Sequence, residues 1–506
     1  MPDTTSNNKR IAKNTMFLYF RMLLVMLVTL YTTRVLLETL GVEDFGIYNV
    51  VGGIVTMFTF LSGTLSSASQ RFFSYELGTK NYNRLQKLFS VSWWIYIFIS
   101  LVVFILAETI GLWFVKTQMT IPIERMSAAL WVYQFSIFSF IATILITPYN
   151  AAIIAQENMS VYAIVSIIDV VLKLVIVYVL AAFGIDKLKL YALLVFIVTV
   201  VVQLIYMFYC KYRYKTYKLR LYWDTKMFKE MLSFAGWNMI GSIANVLRSQ
   251  GINVLLNMFF NPIVNAARGI AYQVNSAIMG LINNFYTAVR PQIFKYYSMG
   301  ETTEMHNLVL KCSRLGYCLM FFVSVPLFFE MDLWLSLWLK NVPENAVLFT
   351  RIIIVNALLE VFSAPLVNAM QATGNIKLFQ LIVSVIYLFN IPISYFLLKM
   401  GYPPETALYV NICLVAVSFV PRLILCEYIA GLPIKKYFYE VLIRSILCTF
   451  ITFVCIIGIR NLLEDFLLQK LVSEICLSGL IVLFVGVTKS ERKMINTFVL
   501  KRFGKC

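Results

Sequence analysis

Between Ser233 and Arg290, two long apolar segments carry amides and arginines that a hydrocarbon environment tolerates poorly. In the first, Asn238, Ser242, Asn245, Ser249 and Asn253 recur at steps of three or four, one face of a helix, with Arg248 beside them. In the second, Arg268, Gln273, Asn275, Asn283, Asn284 and Arg290 punctuate an otherwise apolar run. Amides and guanidinium groups at mid-depth in a bilayer are costly unless they face protein or water, so the pattern predicts a polar cavity between helices. Two acidic groups bear on ion coupling. Glu360 has no opposite charge within one turn, which makes it a candidate to bind H+ or Na+, with Asn356 or an arginine from another helix as the alternative partner. Asp169 has Lys173 four residues on, a spacing at which the two neutralise each other, with a proton relay as the second reading.

The elements that position these residues follow from composition. Of 506 residues, 60% are hydrophobic and 13% charged, and the mean hydropathy is +0.79, outside the range of soluble domains. Windows of roughly 20 apolar residues cross a hydrocarbon core of about 30 Å. Fourteen such windows fall near 14–37, 45–69, 88–115, 127–147, 160–183, 189–210, 231–258, 265–290, 312–339, 348–370, 376–399, 406–430, 440–459 and 467–488. The fold class is therefore an all-α polytopic membrane protein with about 14 transmembrane helices.

A net charge of +18 raises the question of nucleic acid, but most Lys and Arg lie at the two ends and in the connections after even-numbered spans. That is the positive-inside pattern, with both termini cytoplasmic. The dense run from Lys211 to Lys229 reads as a loop touching anionic membrane lipid, not nucleic acid. The polar head MPDTTSNNKR precedes an apolar run that is too long for a signal peptide and lacks a small-residue cleavage site, so it reads as an uncleaved first span. Nine cysteines show no paired spacing and His306 is the sole histidine, so neither a metal, a cofactor nor a disulfide framework is expected. Connections are short, leaving no room for a soluble catalytic domain.

Two halves of the chain resemble each other. PYNAAIIAQEN from Pro148 and PLVNAMQATGN from Pro365 share their Pro, alanines and closing Asn at an offset of 217 residues. Gly46-Ile47-Tyr48 pairs with Gly269-Ile270-Ala271, and Tyr75 and Gly78 pair with Tyr297 and Gly300 at an offset of 222. These matches predict a parallel duplication, as in secondary transporters. The expected division is residues 1–222 (spans one to six), 223–433 (spans seven to twelve), and 434–506 (two further spans and a tail).

Two six-helix bundles plus two helices, the Gly-Ile-Tyr start of span two, and the Pro-initiated Ala-rich end of span four with its copy in span ten resemble the polysaccharide exporters of the MOP superfamily. That superfamily includes Wzx-type O-antigen flippases, the lipid II flippase and MATE drug exporters. The resemblance implies a MATE/lipid flippase-like fold in the inner (plasma) membrane. Its cargo would be a polyprenyl-pyrophosphate-linked oligosaccharide, delivered to a polysaccharide polymerase and ligase and moved with H+ or Na+ or by the membrane potential. It also implies cationic pyrophosphate contacts on spans one, two, seven and eight. Arginine suits a pyrophosphate because its planar fork offers several donors. The positions available are Arg21 and Arg34 on span one, Arg248 with Asn245 and Asn253 on span seven, and Arg268 and Arg290 on span eight; span two has no arginine before Arg71. Each has a structural reading as well: a helix pair for Arg248, snorkelling for Arg21, an ion pair with Glu38 for Arg34, interfacial anchoring for Arg268 and Arg290.

Two other functions compete. A MATE-like exporter of organic cations would call for carboxylates in the cleft, whereas span one has none before Glu38. A membrane polymerase or ligase would need a large outer loop or a nucleophile and base, and neither is evident, so no enzyme is expected.

Overall fold

A computed structural model of the chain describes residues 4–56, 58–117, 121–182, 186–217, 219–220, 222–260, 262–339, 342–462, 467–488 and 491–492. Among the described residues every regular element is helical. Ten segments are long and apolar enough to cross a membrane: Tyr82–Thr117, Ile123–Ala155, Met159–Leu180, Lys187–Arg213, Thr302–Phe329, Ala346–Thr373, Lys377–Lys399, Thr406–Ala430, Ile434–Arg460 and Gln469–Gly486. This is a multi-pass membrane protein. The remaining expected spans, the first, second, seventh and eighth, fall on α1 (Thr4–Thr56), α2 (Thr59–Gly78), α8 (Thr225–Phe259) and α9 (Pro262–Ser298).

The chain forms two compact units, Met1–Met239 and Ile240–Cys506. In the first, α1 turns at Gly41, whose φ of 80° and ψ of 168° only glycine adopts readily. The unit continues with α3 (Tyr82–Leu106), a π-turn over Ala107–Gly111, α4 (Leu112–Thr117), α5 (Met126–Ala155), α6 (Met159–Ala182) and α7 (Lys187–Arg213). Leu36 of α1, Ile153 of α5, Val177 and Leu180 of α6, and Val198 and Tyr206 of α7 share one buried core. At one end Arg125 joins Asp44 to Asp186, 3.1 Å away, and Asp186 also caps α7 through the Leu188 and Lys189 N–H groups at 3.1 and 3.3 Å.

The second unit contains α9, α10 (Thr302–Phe329), α11 (Met331–Trp338), α12 (Ala346–Glu360), α13 (Ser363–Thr373), α14 (Lys377–Leu388), α15 (Asn390–Lys399) and α16 (Thr406–Ala430). It closes with α17 (Ile434–Tyr437), α18 (Arg444–Leu462) and α19 (Leu467–Ile481). Two of its spans are interrupted, between α12 and α13 and between α14 and α15. The first break frees carbonyls that lipid cannot satisfy. Tyr286 Oη donates to Val361 O at 2.8 Å and Tyr437 Oη to Phe362 O at 3.4 Å. Gly316 of α10 makes room for Tyr286: a Cβ there would stand 2.2 Å from Tyr286 Oη. Gly316→Ala is expected to displace that hydroxyl and cost about 1–3 kcal/mol in overpacking, read as a lowered thermal unfolding midpoint in detergent, while Tyr286→Phe costs less.

The duplication is visible in the turns. Glu157 and Gly374, 217 residues apart, both take left-handed backbone (φ 60° and 84°) and close equivalent helix ends. Glu157 N bonds Ile154 O at 2.8 Å, and Gly374 N bonds Gln371 O at 3.1 Å. At the other match the left-handed residues are Lys80 and Gly300, φ 57° and 75°, which corrects the offset of 222 to 220. Gly78 is the last helical residue of α2, and the reversal comes two residues later. The cap bonds agree with the corrected register: Asn81 N to Glu76 O at 3.0 Å and Glu301 N to Tyr296 O at 2.9 Å.

Candidate functional site

In the second unit the polar stripe of α8 meets the broken spans. Arg248 is nine-tenths buried, and its Nη2 donates to Asn245 Oδ1 at 2.8 Å and to Glu360 Oε1 at 3.0 Å. Glu360 is the last residue of α12, at the break, so the carboxylate that lacks a charge partner along its own helix receives one from α8. The Arg248 guanidinium lies 4.1 Å from the ring centroid of Tyr387 on α14. A second guanidinium, Arg422 of α16, lies 5.3 Å from the same centroid and donates to Tyr387 Oη and to Ser363 Oγ at the start of α13. Arg422 is 5% exposed. Two cations thus flank one ring, one of them paired with the Glu360 carboxylate, and Arg248 Nη1 and Arg422 Nε are buried without hydrogen-bond partners.

A third buried guanidinium belongs to Arg268 on α9, whose Nη2 donates to Ser249 O at 2.8 Å and Nη1 to Asn253 Oδ1 at 3.4 Å. It lies 4.3 Å from the Tyr272 ring centroid. Arg290, at the far end of α9, donates from Nε to Asn368 Oδ1 at 3.2 Å. Among the described residues no carboxylate pairs with Arg268, Arg290 or Arg422. Beside this cluster Asn411 donates to Asn356 Oδ1, Asn390 to Asn411 Oδ1 and Ser394 to Asn390 Oδ1, each at 3.0 Å, so a buried polar chain is satisfied where α14 gives way to α15.

The structure therefore brings Arg248, Asn245 and Glu360 into one contact group and Arg268 with Asn253 into another on α8 and α9. Arg290 is separate. In the first unit Arg21 stacks on Tyr162 at 4.6 Å, with Nε buried and unpartnered. The side chain of Arg34 lies outside the described residues. Asp169 accepts from Lys173 Nζ at 2.9 Å on α6. Sequence reasoning passed over Arg422 and Tyr387. Arg422 carried a signal, being a basic residue deep inside an expected span; Tyr387 carried none among 29 tyrosines.

A family model described as a polysaccharide biosynthesis protein matches residues 11–297. The chain belongs to that family. No curated protein sequence matches it. Among solved structures, this family member is similar to a MATE transporter crystallised with MaD3S, at 12% identity over 85% of this chain and 97% of that one, with a TM-score of 0.72. An outward-facing multidrug resistance MATE transporter of the MOP superfamily gives 12% identity, 84% and 96% coverage and a TM-score of 0.72. A MOP superfamily transporter from Pyrococcus furiosus Vc1, reported with a binding pocket of reverse polarity that suggests a different function, gives 12%, 83%, 96% and 0.68. Identities this low speak to the fold alone: the polysaccharide biosynthesis family member described here has the fold of the MATE structures.

Proposed function

We propose that this protein flips a polyprenyl-pyrophosphate-linked oligosaccharide from the cytoplasmic to the outer leaflet of the inner (plasma) membrane by alternating access, for cell-surface polysaccharide biosynthesis. Family membership and the Lys and Arg bias of the connections support the cargo class and the cytoplasmic placement of both termini. The observation that carries the reading is the excess of buried guanidinium: Arg248, Arg268 and Arg422 against the one carboxylate of Glu360. Buried cations with donors to spare match a pyrophosphate, which supplies charge and several acceptors at once.

The Arg248–Glu360 pair also offers a coupling step. A pyrophosphate that takes Arg248 leaves Glu360 without its cation, and the carboxylate then binds H+ or Na+; release of the pyrophosphate lets Arg248 return and expels the ion. Coupling through Asp169 would require the same exchange with Lys173. An organic cation finds no free carboxylate in this cluster, because Glu360 is already engaged. Downstream, a polymerase and a ligase would receive the flipped glycan.

Purified protein in nanodiscs should bind polyprenyl pyrophosphate in preference to a cationic dye. Arg422→Ala should weaken that binding about tenfold or more, since a hydrogen bond to a charged group is worth about 1.5–3 kcal/mol. Binding of the dye with no binding of the pyrophosphate lipid would favour the drug-exporter reading.

A further inference from the structure

Glu330, Arg460 and Glu474 meet where the end of α10 reaches the last two helices. Glu330 closes α10, Arg460 lies in the last turn of α18, and Glu474 is in the middle of α19. Arg460 Nη2 stands 3.0 Å from Glu330 Oε1, and Nη1 donates to Glu474 Oε1 at 3.2 Å. Two carboxylates thus share one guanidinium, which lies 5.4 Å from the ring centroid of Phe329, itself packed on Phe453. The Glu330 and Glu474 side chains are 9% and 1% exposed. Glu474 Oε2 is buried with no hydrogen-bond partner.

The other charged groups nearby do not relieve that oxygen. Lys470, one turn earlier on α19 and half-buried, adds positive potential but no bond to Glu474 Oε2. Arg351 of α12 is taken by Asp332 of α11 at 2.8 Å and by Phe328 O at 3.0 Å. The contrast with Arg125 in the first unit is instructive. There too one arginine holds two carboxylates, but both are part-exposed and Asp186 accepts two backbone N–H groups besides. Solvent and a helix end stabilise the second charge at Arg125. At Glu474 neither does, and a buried carboxylate with an unpaired oxygen beside a like charge favours the neutral form.

We infer that Glu330 and Glu474 together bind one exchangeable proton on the Arg460 guanidinium, forming a protonation site that joins α10 to the C-terminal helices α18 and α19. With the proton on Glu474 Oε2, the two carboxyl groups and Arg460 sum to zero charge. Its loss leaves two carboxylates on one guanidinium, and their repulsion loosens α19 from α10. This site is separate from the Arg248 cluster and does not depend on what the cargo is.

The test is an infrared pH titration of the protonated-carboxyl C=O band in the full-length protein, for wild type, Glu474→Gln and Glu330→Gln. Wild type should show a band at neutral pH that disappears in alkali, and Glu474→Gln should lack it. Glu330→Gln keeps the Glu474–Arg460 pair and so keeps the fold. Without the neighbouring charge its remaining carboxyl should titrate about one pH unit or more lower. A band unchanged by Glu474→Gln would overturn the inference in favour of a permanently ionised structural triad. Loss of the band on adding Na+ at constant pH would overturn it in favour of a cation site.

Discussion

Arg248→Ala is expected to abolish export of the lipid-linked glycan while the protein still inserts in the membrane, and Arg248→Lys to retain only part of it. Arg248 makes two contacts through Nη2, to Glu360 and Asn245, and keeps Nη1 buried and unengaged. Lysine restores the charge but offers a point donor in place of a fork, and it stacks less well on Tyr387. Alanine also strands Glu360, so loss of export alone does not separate function from folding. The double variant Arg248→Met/Glu360→Gln removes both charges and leaves no buried ion unpaired. It should be recovered from membranes at near wild-type level and still fail to export. Export by this double variant would remove Arg248 from the transport path.

The largest stability effect is expected at Arg314. Its Nη2 pairs with Glu491, its Nη1 bonds Glu440 O at 3.3 Å, and the Arg314 and Glu491 side chains are only 6% and 7% exposed. Through the Glu491 pair α10 holds the segment that follows α19. Arg314→Met leaves the Glu491 carboxylate buried without its cation, which costs about 3–5 kcal/mol. Replacing both, Arg314→Met/Glu491→Leu, should recover most of that loss. The pair also sets an acid limit. Burial pushes the Glu491 carboxyl up, but the hydrogen bond and charge of Arg314 and the Thr488 donors outweigh it and hold the carboxyl below its ordinary value. A lowered folded pKa contributes stability that is fully present above the unfolded value of about 4.3 and is lost as pH falls through the folded one. The thermal unfolding midpoint of wild type should therefore fall below about pH 4, and that of Arg314→Met/Glu491→Leu should fall less.

Much of the fold was legible because it is local or compositional. Apolar windows located the ten segments that meet the length and hydropathy needed to cross a membrane, and the repeated Pro and Ala pattern pointed to the duplication seen at Glu157 and Gly374. Asp169 and Lys173 could be paired by eye because four residues is one helical turn. The site was legible only in its α8 half. Glu360 finds Arg248 at a separation of 112 residues, and no spacing rule reports such a contact. The break after Glu360 was hidden for a related reason: Val361 and Phe362 are ordinary helix formers, and the tyrosines that bind their carbonyls lie 75 residues away on either side. Arg422 was visible as a basic residue in an apolar span, but its role depends on Tyr387 and Ser363, which look unremarkable in sequence.

The most direct test of a flippase acting through the Arg248 cluster is the amount of lipid-linked glycan on each membrane face in cells lacking this protein, with wild type or Arg248→Ala restored. The account predicts build-up on the cytoplasmic face, relieved by wild type and not by the variant. No build-up on that face, together with altered sensitivity to cationic dyes, would contradict it.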